Sequence, residues 1–484
     1  MQEEQSLLKK FLSISIGSWI AMFIGFISTP ITTRLISPDQ FGQASIIVLI
    51  VDILSIIALG GADQSFIRFF YEEQEQVRNN LLKKTLTVSM SFFILIISIF
   101  IVALKIPATN LSAIMSDSLV ILVVLCVLLR ILSTYASLVI RMRQNGSLYS
   151  IIQVLNKLLE FTGVLIFFFL LGNRYDVIIY SHLFFMSIVT IFAMTSQVDV
   201  WKFAKTTNSR EKNGYRDIIT FGFPAMITQV VTLLFQSVDK VSINEWSTYT
   251  ELGLYSAAFK IIAILNMIQI NFSAFWIPLS HEKFQNNPKD KNFFARIHEI
   301  AAFFLLLVTI GVLMFRDVIV RFLGQEYSDA SSIMPFLVFV PIMYTISEIT
   351  GVGINFYKKT KYHIAISVTA LSLNCLGNFF FVPIFGATGA ALSTGISYLV
   401  LYLLKTYISS KLFKVEYKLA KFSVCILLLL IFALFQTFFH SKILPFFFGA
   451  GLICMVLVLY KRIAYEIFFK IREWILSDKG GKPK

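Results

Sequence analysis

Charge is scarce in this chain. Only 14% of its 484 residues are Asp, Glu, Lys or Arg, whereas 57% are apolar and the mean hydropathy is +0.76. Runs of about 20 apolar residues recur between charge clusters, the length that crosses a hydrocarbon core of about 30 Å. Such a pattern excludes an ordinary soluble globule and predicts an all-α polytopic membrane protein. Cysteine is also sparse: Cys126, Cys375, Cys425 and Cys454 all fall in apolar runs without paired spacing, which excludes a disulfide framework and a zinc site. They read as small hydrophobes. The five histidines, His182, His281, His298, His363 and His440, have no metal-ligand spacing either, and structural or interfacial roles are expected of them. There is no phosphate-loop or nucleophile motif, and every outer loop is about 15 residues or shorter. A substantial folded domain presenting catalytic groups is therefore not expected, and neither is an enzyme, a metal centre or a cofactor.

What is present is order along the chain. Fourteen apolar segments are centred near residues 22, 51, 95, 130, 160, 187, 228, 264, 305, 343, 373, 397, 429 and 455. The first, Phe11 to Thr33, is too long for a signal-peptide core and is expected to be a retained span. An even number of spans puts both termini on one side. On that side the loops and tails collect 32 Lys and Arg; the opposite loops collect 7. The positive-inside rule then places both termini in the cytoplasm. The net charge of +14 is thereby explained without a nucleic-acid partner.

Three bases remain inside spans, Arg130, Lys157 and Lys260. Three acids are similarly embedded, Asp52, Glu160 and Glu348. A charge at mid-span costs roughly 2.5 to 3.5 kcal/mol on insertion scales and tends to face a bundle interior or a watery cavity. Lys157 and Glu160 lie three residues apart on one helical face and are placed to pair. Arg130 has no embedded partner on its own helix; it is a candidate anion contact, with a cross-helix pair to Asp52 or Glu160 as the alternative. Lys260 lies nearer the outer end, where it either snorkels or faces the lumen. Asp52 and Glu348 lack a nearby cation on their own helices, and with Glu160 they are candidates for ion coupling or charge balance. Pro30, Pro224, Pro335 and Pro341 fall in or near spans, as hinges or as ordinary membrane-helix prolines.

A weak internal repeat joins these elements. "FGQASIIVLIVDIL" at Phe41 aligns with "LGLYSAAFKIIAIL" at Leu252, and "GSLYSIIQVLNKLLEFTGVLIFFFLLG" with "TKYHIAISVTALSLNCLGNFFFVPIFG", at offsets of about 211 to 214 residues. Each unit contains an even number of helices, so the repeats are parallel. The expected organisation is a six-helix lobe over 1–205, a second over 206–415, a two-helix extension over 416–470 and a cytoplasmic tail over 471–484.

The second lobe opens "YRDIITFGFPAMITQVVTLLFQSVDKVSINEWSTYTELGLYSAAFKI", with Gly-x-Pro early, an Asp at the far end and "GLYS" starting the next helix. The first lobe opens "TPITTRLISPDQFGQASIIVLIVDILSIIALGGADQSFIRFF". Together these resemble the polysaccharide transporter branch of the multidrug/oligosaccharidyl-lipid/polysaccharide (MOP) exporter superfamily, over essentially the whole chain. The resemblance implies a MATE-like fold and a flippase for an undecaprenyl-pyrophosphate-linked oligosaccharide such as O-antigen or capsule. It further implies a bacterial cytoplasmic (inner) membrane, a role in lipopolysaccharide or polysaccharide biosynthesis, and an ion gradient as driving force. Arg34, Asp239 and Gly253 match family positions without an implied binding role. The implied partners are the lipid-linked oligosaccharide, membrane lipids and polysaccharide polymerase or chain-length machinery. A pyrophosphate moved through mid-membrane needs guanidinium or ammonium donors, which makes Arg130, Lys157 and Lys260 the candidate substrate contacts. A multidrug or cation exporter of the same superfamily is the alternative, and a membrane polysaccharide polymerase is a more distant one. Three embedded cations balanced by three acids suit an anionic substrate better than an organic cation.

Overall fold

The computed structural model describes residues 2–105, 116–201, 212–357, 359, 361–439, 443–466 and 469, and the fold is helical with no strand among them. The boundary expected at 205 and 206, His440 and the tail over 471–484 lie outside the described residues. Eleven described helices are long and apolar enough to cross a membrane, and Trp19–Leu35 and Leu444–Leu459 are shorter apolar helices. The chain divides into two compact units, Met1–Val241 and Ser242–Lys484.

In the first unit the helices are α1 (Gln2–Leu35), α2 (Pro38–Leu59), α3 (Ala62–Phe69), α4 (Arg78–Leu104), α5 (Asp117–Met142), α6 (Gly146–Leu171), α7 (Asp176–Thr195) and most of α8 (Tyr215–Trp246). α1 packs along α6, α6 along α7, α5 on α7, and α2 on both α4 and α5. Lipid tails are as apolar as leucine, so close packing of side chains, rather than escape from water, must hold such helices together. Small and branched residues supply it where α5, α6 and α7 meet: Ala136, Ile140, Ile152, Val189 and Ala193 form one buried cluster, with Leu155, Leu159 and Trp201 against it. Large apolar side chains such as Phe169, which is 82% exposed, are left facing outward for lipid.

Polar contacts pin both ends of this bundle. At one end the Asn173 side chain accepts from the Ser37 backbone at 3.0 Å, and Gln40 accepts from the Tyr175 backbone at 2.9 Å. At the other, the buried Glu73 carboxylate accepts from the Asn213 backbone at 2.8 Å and from the Asn213 amide at 2.9 Å. Ser65 Oγ donates to the Ile218 carbonyl at 2.8 Å. These bonds hold the start of α8 against α3. The approach is closest at Gly61, whose φ is +70°, and where a Cβ would stand 1.8 Å from the Gly222 carbonyl oxygen. Only glycine fits there.

The second unit contains α9 (Tyr249–Asn286), α10 (Lys291–Met314), α11 (Ala330–Leu337), α12 (Phe339–Thr350), α13 (Lys361–Leu412), α14 (Leu419–Phe438) and α15 (Leu444–Leu459). α13 is two helices joined at Gly386, with φ 56° and ψ −134°. Its halves fold onto each other: Asn374 donates to Thr394 Oγ1 at 2.8 Å. The Glu251 carboxylate accepts from the Ala387 backbone at 2.9 Å and so caps the second half, a favourable place for an anion at a helix start.

Helices longer than a minimal span correct the loop accounting. Lys405 reads as a loop cation in sequence but lies inside α13, buried to 6% exposure. It pairs with Glu348 and sits 5.4 Å from the Tyr344 ring centroid. The seam continues through Thr350 and Thr406 at 2.6 Å and through the Gly353 backbone to Ser409 Oγ at 3.0 Å. Lys240 likewise falls within α8 rather than in a loop.

Two measurements check this packing. Gly61→Ala should lower stability by roughly 2 to 4 kcal/mol, from backbone strain plus overpacking against a carbonyl. Gly311→Ala, whose Cβ meets nothing within 4 Å, should be neutral or gain up to about 1 kcal/mol in thermal unfolding. Outside the spans, the Arg143 guanidinium donates to the Asp199 carboxylate at 2.6 Å and holds its pKa below the ordinary value. A depressed carboxylate pKa stabilises the fold above the unfolded value and is lost as pH falls through the folded one. Asp199 is 62% exposed, so Asp199→Asn should cost under about 1 kcal/mol at pH 7. The difference should vanish as pH is taken below about 3.9, in parallel melts of the two proteins.

Candidate functional site

Three helices of the first unit enclose a polar cavity of about 410 Å³. The α5–α6 turn aligns two of its walls: Asn145 caps α6 by accepting from the Leu148 backbone at 3.1 Å. On α5 the polar residues Arg130, Ser133, Thr134, Ser137 and Arg141 recur at helical spacing, so they form one stripe. α6 contributes Tyr149, Asn156, Lys157 and Glu160, and α7 contributes Ser181 and His182. The apolar cluster on the same three helices leaves this stripe unfilled.

Arg130 is the fourteenth residue of the 26-residue α5, about 20 Å from either helix end at 1.5 Å per residue. Lys157 is the twelfth of 26 in α6. Both charges therefore sit at mid-helix. Each has a carboxylate: Lys157 Nζ donates to Glu160 Oε2 at 2.8 Å, and Arg130 Nη2 lies 3.4 Å from Asp52 Oδ1 on α2. Of the two acids considered as cross-helix partners, Arg130 is paired with Asp52. Neither pair is sealed, because the four side chains are 34 to 49% exposed. Three cations, Arg130, Arg141 and Lys157, and one carboxylate, Glu160, line the cavity; with Asp52, the partner of Arg130 on α2, counted in, the group is formally +1 with His182 neutral. Hydroxyls on the wall are partly spent on their own helices: Thr134 donates to the Arg130 carbonyl at 2.8 Å and Ser181 to that of Val177 at 2.7 Å. Their lone pairs remain available as acceptors. The arrangement can exchange a carboxylate partner for another anion without opening the core.

Three of the six expected charges, Arg130, Lys157 and Glu160, thus line one cavity, and a fourth, Asp52, is tied to it through Arg130. The other two belong to the second unit. Lys260 is an exposed residue of α9; Glu348, partly buried, is paired with the buried Lys405. Arg141, Asn156 and His182 were missed as site residues in sequence. Arg141 reads as a loop residue and His182 as incidental, although the helical spacing of Arg130, Ser133, Thr134, Ser137 and Arg141 was a usable signal. Arg34 lies in the last turn of α1, and Asp239 is buried within α8. Among the described residues no group of three or more His, Cys, Asp or Glu could hold a metal ion.

Residues 7–284, more than half of the chain, match the family described as polysaccharide biosynthesis protein. The chain belongs to that family. Relatives are similar over shorter stretches: "Probable low-salt glycan biosynthesis flippase Agl15" of Haloferax volcanii is 20% identical over 46% of this chain and 49% of its own. "Uncharacterized membrane protein MJ1068" of Methanocaldococcus jannaschii is 23% identical over 50% of this chain and 48% of its own. The chain spans about half the length of the curated relatives it matches. Among solved structures, the lipid II flippase MurJ in an inward closed conformation superposes with TM-score 0.66 at 15% identity, covering 95% of this chain and 99% of that one. An inward-facing multidrug resistance MATE family transporter of the MOP superfamily gives 0.56 at 14% identity, covering 84% and 95%. At these identities the likeness is one of fold. The fold of this polysaccharide biosynthesis family protein is accordingly shared with MurJ and the MATE transporter, and the protein is a multi-pass membrane protein.

The two units differ in how their ion pairs are held, and stability should report it. Glu348→Gln leaves Lys405 buried without a counter-ion, which should cost about 3 to 5 kcal/mol. Glu160→Gln breaks a half-exposed pair and should cost under about 1 kcal/mol. Thermal unfolding of the two variants in one detergent checks the contrast.

Proposed function

We propose that this protein is a flippase for a lipid-linked oligosaccharide, carried on undecaprenyl pyrophosphate, across the bacterial cytoplasmic membrane by alternating access. The observation that carries the reading is the mid-helix cavity with two half-exposed ion pairs and a formal surplus of one positive charge. The flippase descriptions of one curated relative and of MurJ, together with the polysaccharide biosynthesis family, support it and favour a carrier over an enzyme. A pyrophosphate has the charge and acceptors to draw Lys157 from Glu160 and Arg130 from Asp52, because charge-assisted bonds to phosphate are strong and an Arg fork suits them. The released carboxylate then takes a proton or a sodium ion, and this exchange is the proposed coupling step. Glu348, held by Lys405, balances charge in its own unit, and Lys260 contacts substrate elsewhere on the path.

The same reading keeps fourteen spans with both termini cytoplasmic. It also keeps lobes over 1–205 and 206–415, a two-helix extension over 416–470 and a tail over 471–484. Export of organic cations is the second reading, and it is disfavoured by the sign of the cavity. The polymerase and chain-length machinery that extends such glycans would be its partner.

A deletion strain complemented with variants tests the proposal. Wild type should clear lipid-linked glycan from the inner leaflet. Arg130→Ala and Lys157→Ala, at matched expression, should each let it accumulate, with translocation reduced at least tenfold. Full rescue by both variants would remove the cavity from the mechanism.

A further inference from the structure

A second cavity, of about 360 Å³, lies in the first unit where the α3–α4, α5–α6 and post-α7 connections converge. Its defining group is Arg78, the first residue of α4. The guanidinium carbon lies 4.6 Å from the Phe70 ring centroid and 5.5 Å from that of Tyr71, and its Nε donates to the Phe70 carbonyl at 3.0 Å. Both Nη groups are left without a hydrogen-bond or ion-pair partner among the described residues. The cation–π contacts and the Nε bond hold the guanidinium in place, so it is positioned before any ligand arrives.

The surroundings are built around that fork. Tyr71 donates to the Met142 carbonyl at 2.6 Å, and Gln144 donates to Tyr71 Oη at 3.3 Å. Gln144 has φ +56°, unlike every other non-glycine residue described, a strained conformation that surrounding contacts must maintain. Arg143 adds a second guanidinium, steered by Gln197 and Asp199 at 2.6 Å each. The N-terminus of α4, which has no side-chain cap, adds the positive end of a 27-residue helix. Glu75 on the rim is the one pocket-lining carboxylate.

We propose that this pocket is a phosphate-binding site, separate from the mid-helix cavity, that receives a phosphate monoester or a lipid phosphate on the open edge of Arg78. The volume accommodates a phosphate with a short ester substituent. Basic pockets between helices at a membrane face are suited to lipid headgroups. The site does not depend on what the mid-helix cavity transports.

The test uses the full chain in neutral detergent, with inorganic phosphate and dihexanoyl phosphatidic acid as probes in isothermal titration. Wild type is expected to bind at least one. Binding of both with similar affinity identifies the phosphate alone as ligand; binding of phosphatidic acid alone identifies a lipid headgroup. Arg78→Gln should weaken the bound probe at least tenfold. Glu75→Gln, an exposed change that does not threaten the fold, should tighten it severalfold by removing the opposing charge. Absence of binding by wild type, equal affinity in Arg78→Gln, or no change in Glu75→Gln would overturn the proposal.

Discussion

A charge placed halfway along a membrane helix must either be neutralised or be given water. The two units of this chain resolve that constraint differently. In the second, the buried Lys405 is paired with Glu348, little exposed, and backed by the Tyr344 ring, and the polar seam continues into Thr350, Thr406 and Ser409. In the first, Lys157, Glu160, Arg130 and Asp52 are paired and yet open to a cavity. A sealed pair serves packing and registration, since removing one partner strands the other. An open pair can trade partners, which is what a site for a passing anion requires.

The rest of the first unit makes that openness tolerable. The apolar cluster of Ala136, Ile140, Ile152, Val189 and Ala193 fastens α5, α6 and α7, so the polar stripe need not contribute to packing. Hydrogen bonds at Asn173 and Gln40 fix one end, and Glu73 and Ser65 fix the other. Helices held at both ends can carry an unfilled polar wall between them without collapsing on it.

Much of this was legible in the sequence, because apolar run length and the lipid thickness leave few choices. The helical class, the embedded charges Asp52, Arg130, Lys157 and Glu160, and the i,i+3 geometry of the α6 pair all follow from spacing. Lys405 was misplaced because α13 continues far past a minimal span, and hydropathy alone does not mark where a helix leaves the membrane. The Arg130–Asp52 pair was left open because spacing within one helix carries no information about which neighbour faces it. Arg141 was passed over because charge was tallied by loop rather than by helical face, and His182 because histidines were weighed only for metal-ligand spacing. The Arg78 pocket was invisible for a related reason: it is assembled from three connections distant in sequence.

The central claim is that the mid-helix cavity of the first unit is water-accessible and net positive. Its most direct test is thiol modification of Ser137→Cys, in a variant lacking Cys126, Cys375, Cys425 and Cys454, with methanethiosulfonate reagents of similar size and opposite charge. The account predicts that the anionic reagent reacts several times faster than the cationic one, and that Lys157→Gln brings the two rates together. No reaction with either reagent, or faster reaction with the cationic one, would contradict it.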